Sequence, residues 1–176
     1  MSSIVISGDT SGSITLAAPA VSGSNTLTLP ALTGTVLTTA TVGTILQMVQ
    51  GTTTTGTSTT SASFVATALT ASITPTKSTS KVLIQVTGPI DSAATNSQAN
   101  GTIYRGGTNL GGAPGFTNIF SNSGRVIGSL AMTYLDSPAT TSSTTYTVYI
   151  NGSNGSNITF PQGTNLATIT LTEVAA

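Results

Sequence analysis

The stretch Leu166-Ala167-Thr168-Ile169-Thr170-Leu171-Thr172-Glu173-Val174 alternates apolar and polar residues with a period of two. Successive side chains of an extended strand point to opposite faces. The pattern therefore sends Ala167, Ile169 and Leu171 inward and Thr168, Thr170 and Thr172 outward. Thr145-Tyr146-Thr147-Val148-Tyr149-Ile150 repeats the device, with Tyr146, Val148 and Ile150 on one face. β-branched Thr, Ile and Val suit such a pleated, half-buried surface.

Other segments fall into line around these two. Phe64 to Leu69 leads to Ile73-Thr74-Pro75, where Pro75 ends a strand, and Lys77 to Ser80 reads as a turn. Lys81 to Thr87 is the strongest strand, with a stop expected at Gly88-Pro89. Thr102 to Arg105 stops at Gly106-Gly107, and Val126 to Leu135 stops at Asp136-Ser137-Pro138. Asn151-Gly152 and Asn154-Gly155 both read as turns. No stretch keeps a helical period. Residues 64–176 thus predict seven or eight strands, an all-β, jelly-roll-like two-sheet sandwich.

Residues 1–42 read as a β-rich attachment or stalk segment. Ile4-Val5-Ile6, Ser13 to Leu16 and Thr26 to Leu29 are short strands separated by Gly, Ser, Asp and Pro. The last two offer two apolar side chains each, too few to offset the ordering entropy of such a unit alone. Three chains wound together would bury Ile14, Leu16, Leu27 and Leu29 near a common axis, which predicts a homotrimer. Residues 43–63 read as a linker with one strand, Ile45 to Gln50, followed by a Thr/Ser tract. That tract reads equally as a loop or as an edge strand.

Composition narrows the chemistry. Charged residues are 5% of the 176, and net charge is zero, against about 25% charged in an ordinary domain. Histidine, cysteine and tryptophan are absent. Imidazole catalysis, a zinc centre of the usual ligands and a disulfide framework are excluded with them. Four scattered cations, Lys77, Lys81, Arg105 and Arg125, make no nucleic-acid face. No apolar run approaches the roughly 18 residues of a membrane helix, and Met1-Ser2-Ser3-Ile4 does not open a signal peptide. No cofactor or metal is expected. Apolar residues at 38% in regular alternation argue against disorder.

The sequence resembles the C-terminal domains of virion structural and tail-fibre proteins of tailed bacterial viruses, aquatic, cyanophage-like ones especially. The likeness rests on Gly43-Thr44-Ile45-Leu46-Gln47, Ser63-Phe64-Val65 with Ser72-Ile73-Thr74-Pro75, and Ser78-Thr79-Ser80-Lys81-Val82-Leu83-Ile84. It continues in Arg105-Gly106-Gly107-Thr108, Tyr134 to Thr141 with Thr145 to Val148, and Ile169 to Ala176. Gly8 to Gly12 and Thr28-Leu29-Pro30 resemble N-terminal segments of the same proteins. The resemblance implies a trimeric fibre-tip-like domain on the virion surface, made in the bacterial cytoplasm. Its implied partners are other copies, other virion proteins met through the N-terminal segment, and a host surface glycan or protein. It leaves open whether the protein is a tail fibre or tip, or a capsid decoration or head-fibre protein. The shortness of the segment before the main domain favours a tip, adaptor or knob over a complete long fibre.

Few side chains are candidates for a site. Arg105 is either a ligand contact at a fibre tip or, preferred, a strand-end residue paired with Asp91 or Asp136. Tyr149 lies on the strand face opposite Val148 and is either exposed or turned to a neighbouring subunit. Asp136 reads as a turn cap. Asp9 in its Gly-Asp-Thr-Ser-Gly turn is too sparse for calcium unless three chains meet on an axis. A glycan depolymerase needs two carboxylates set for acid and base work. Asp91, Asp136 and Glu173 look scattered, and that class would gain only if Asp91 and Asp136 met across a groove.

Overall fold

A computed structural model describes residues 3–7, 11, 13–17 and 43–176. The chain divides into two units, Met1–Val36 and Leu37–Ala176. In the first, β1 (Ser3–Ser7) and β2 (Ser13–Ala17) form an antiparallel pair that sets Ile4 opposite Leu16 and Ile6 opposite Ile14. Val5 and Ile6 are exposed. Ile14 and Leu16 therefore lie on one strand, as the alternation requires, while Leu27, Leu29 and Asp9 lie outside the described residues.

The second unit is two antiparallel sheets. The first joins β3 (Ile45–Thr53), β13 (Ala167–Val174) and β6 (Lys81–Ser92) in that order. β10 (Val126–Asp136) lies along the other side of β6. β12 (Ile158–Phe160) meets the far end of β6 and carries β4 (Thr57–Thr59) outside it. The second sheet runs β5 (Val65–Ile73), β11 (Thr144–Gly152), β7 (Ser97–Arg105). The far side of β7 is shared by β8 (Thr108–Asn109) and β9 (Thr117–Ser121). No helix occurs among the described residues.

The core lies between the sheets. Val82, Ile84, Val86 and Ile90 face inward from β6, and Ala167, Ile169 and Leu171 from β13. Leu69, Ile73, Ile103, Tyr146, Val148 and Ile150 answer from the second sheet. Each such aliphatic side chain contributes about 1.5–3 kcal/mol on burial. The sheets come close together at Gly101, where a Cβ would collide with the Leu130 side chain.

Several expectations change once the strands have partners. The segment 43–63, read as a linker with one strand, supplies that strand to the first sheet as β3, longer than expected, and β4 besides. The Thr/Ser tract is in part strand and in part loop, because β13 and β12 offer it edges to pair with. β6 does not stop at Gly88-Pro89 but runs on to Ser92. Gly88 is required there because a Cβ would lie 2.6 Å from the Ala167 Cβ. Pro89 is tolerated because its ring nitrogen faces the gap between β13 and β12, where no strand needs a donor; its carbonyl on that side accepts from the Gln162 N–H. Asn151-Gly152 is not a turn but the end of β11. The turn comes at Asn154-Gly155, with φ of 56° and 66°. Thr172, on the outward face as expected, is nonetheless buried, with Met48 and Leu83 on either side.

Candidate functional site

Alternation along β7 and β11 sends Gln98, Asn100, Thr102 and Tyr104, and Thr145, Thr147, Tyr149 and Asn151, to the outer face of the second sheet. The register sets Thr147 opposite Tyr104 and Tyr149 opposite Thr102. Tyr104 and Tyr149 are therefore diagonal neighbours, within reach of each other's rings. They stack with centroids 3.9 Å apart and planes 24° apart. Phe64, just before β5, meets Tyr104 edge-on at 6.5 Å. All three rings are half-buried.

Hydroxyls and amides surround this patch. Thr70 and Thr147 share a hydrogen bond of 3.0 Å, and Ser72 and Thr145 one of 2.7 Å. Asn100 Nδ2 donates to Asn151 Oδ1 at 2.8 Å, and Asn151 donates in turn to the Ala62 carbonyl. The Thr102 hydroxyl donates to Asn109 Oδ1 at 2.6 Å, which ties β8 to β7. None of the outward residues of β5, β7 and β11 is ionisable below the phenol range. The patch is built to stack on a flat, uncharged surface and to exchange hydrogen bonds around it; it holds no acid or base for neutral pH.

Tyr149 is thus brought to a surface patch, but Arg105 is not. As the neighbour of Tyr104 it sits on the opposite face of β7. Its Nη1 donates to both carboxylate oxygens of Asp136 at 2.8 Å. The buried Tyr146 hydroxyl donates to Asp136 Oδ2 at 2.7 Å. Burial, reinforced by that bond to Asp136, pushes the Tyr146 phenol well above its ordinary range. Asp136 is accordingly not a turn cap but the buried hub of Arg105, one of the two carboxylates expected for it, and of Tyr146, which the pairing of the strands adds.

Asp91 takes the Arg125 guanidinium through Nε at 2.9 Å and Nη2 at 2.7 Å. Asp91 lies opposite Ile127, and Asp136 lies opposite Val82. The two carboxylates therefore stand at opposite ends of the β6–β10 pair, about 30 Å apart, and do not form an acid–base couple.

Glu173 is fully buried without an arginine or lysine among its hydrogen-bond partners. Burial alone would raise its pKa. Gln47 Nε2, donating at 2.6 Å, and the Thr76 N–H and hydroxyl, each at 2.8 Å, outweigh that and hold the carboxyl below its ordinary value. The folded chain is then the stronger acid at this site. Its stabilisation is complete above the unfolded value of about 4.3 and drains away as pH falls through the depressed folded one. Urea midpoints are expected to be flat from about pH 5 to 9, where no histidine titrates, and to fall in acid. Glu173→Gln should lower stability at neutral pH and weaken the acid dependence; an acid limb unchanged in that variant would refute the assignment.

Among the described residues no group of three His, Cys, Asp or Glu gathers as a metal site. No protein-family model matches the chain, and no curated protein matches it.

Proposed function

We propose that the chain is a non-catalytic structural protein of the exterior of a tailed bacterial virus: a homotrimeric tail fibre or fibre tip. In this reading its sandwich is jelly-roll-like, residues 1–42 join it to other virion proteins, and the Phe64–Tyr104–Tyr149 patch meets the host surface. The observation that carries the reading is the use made of the ionisable side chains. Asp91 stands at the other end of β6 from Asp136 and Glu173, which face inward from one cross-strand row about 10 Å apart; each of the three is engaged in internal bonds, and none lies on the face that carries the aromatic patch. What the outer face of the second sheet offers is stacking and hydrogen bonding, the chemistry of recognition. Together with the resemblance of the sequence to virion proteins, this favours a binding and assembly role.

The test is antibody labelling of intact, washed particles from the genome that encodes the chain, viewed by electron microscopy. Label at the tail is the expected result. Label on the capsid would make the protein a decoration or head-fibre protein instead, and absence of label from particles would overturn the reading.

A further inference from the structure

We infer that the free edge of β10, with the outer face of the first sheet beside it, packs against a second copy of this chain. The inference supplies the interface for the homotrimer proposed above and rests on that reading only for the number of copies.

The edge comes first. β10 is 11 residues long and pairs with β6 in unbroken register along its whole length. Pro89 turns its backbone polar groups away from β10, so its partner Ser129 turns its own away from β6. By alternation Ile127, Ala131, Thr133 and Leu135 do the same. Among the described residues these five N–H and five C=O groups have no backbone partner beyond β6. Soluble proteins guard such an edge with Lys, Pro, a bulge or shortness. Val126–Asp136 has none of these, and is a ready template for another strand.

The adjoining face points the same way. One cross-strand row sets Met48, Thr172, Leu83 and Leu135 side by side, and Met48 and Leu135 are 63% and 48% exposed. Ionised groups occur only at the ends of β6: Lys81 at one, and Asp91, already paired with Arg125, at the other. Between them the outward side chains are Thr, Gln, Ser, Ala and aliphatic. Four strands spaced about 4.8 Å apart and about 30 Å long present roughly 600 Å² in projection. Side-chain relief and the edge itself bring this near the about 800 Å² per partner of a stable interface. An uncharged face of this kind sets no charge pattern that a second copy would have to complement, and a chain of zero net charge lacks the repulsion that keeps copies apart.

Two substitutions in the full chain test this. Ala131→Pro removes an N–H that points away from β6, so it costs no internal ladder bond but blocks strand addition. Leu135→Lys places a charge in the apolar row. Light scattering of the parent chain at micromolar concentration is expected to give a multiple of 17.4 kDa, and both variants the monomer mass with unchanged far-UV circular dichroism. Ala68→Lys, on the outer face of the second sheet, should leave the multiple intact. A monomeric parent would overturn the inference, as would variants that remain folded and associated; the latter would place the contact elsewhere, for instance in residues 1–42. Neither result would alter the particle labelling that tests virion membership.

Discussion

Val148→Asp is expected to abolish cooperative unfolding, leaving a chain with no thermal transition by near-UV circular dichroism. Val148 is fully buried in β11, the strand that β5 and β7 flank on either side. Its inward neighbours are Ile103 across the strand pair and Tyr146 and Ile150 along it. None offers a free polar atom to a carboxylate at that position: the Tyr146 hydroxyl is given to Asp136, and the nearby Thr67 hydroxyl to the Val148 carbonyl. An unpaired buried carboxyl costs several kcal/mol or must bind a proton, and the lost apolar burial adds about 1.5–3 kcal/mol. Together these rival the roughly 5–15 kcal/mol that hold a whole domain. The exposed neighbour Thr145 serves as control, and Thr145→Asp should cost about 1 kcal/mol or less. A slip of one residue would exchange the two faces of β11. Tolerance of Val148→Asp would therefore show that the register with β7 is wrong.

Asp136→Ala should be the next most damaging change, at about 2–4 kcal/mol. Removing one partner of a buried ion pair typically costs about 3–5 kcal/mol, because the other charge is stranded. Here the Arg105 side chain is 30% exposed, so water recovers part of that. The Tyr146 hydroxyl, fully buried, recovers nothing. Asp136→Asn keeps an acceptor and should cost less than the alanine variant, but more than the small loss expected of a turn cap. Tyr146→Phe removes one donor and should cost about 1 kcal/mol. In Asp136→Ala/Tyr146→Phe the phenol is no longer orphaned, so the double variant should be more stable than the sum of the two losses predicts. Additive urea midpoints would show that Tyr146 and Asp136 do not act together.

The strands themselves were legible because their signal is local. Period-two alternation in Ala167–Leu171 and Tyr146–Ile150 needs no knowledge of the rest of the chain, and those residues are the core. The all-β class and the pairing of Arg105 with a nearby carboxylate were readable for the same reason: both follow from residue type and strand ends. What the sequence by itself could not determine was which strands lie side by side. β11 sits between β5 and β7, and β6 between β13 and β10, far apart in the chain. That non-local choice carries β6 through Gly88-Pro89, since the break falls where no neighbour needs a bond. It lengthens the expected strand at Ile45–Gln50 into β3 and recruits β4 from an apparent linker by giving them edges. It selects Asp136 over Asp91 as the acceptor of Arg105 and adds the Tyr146 hydroxyl as a second donor. It also stacks Tyr104 on Tyr149, which are adjacent only because their strands pair in one register. Alternation assigns a side chain to a face; only the tertiary arrangement decides what else occupies that face, because partner and register are set by the packing of the whole sandwich.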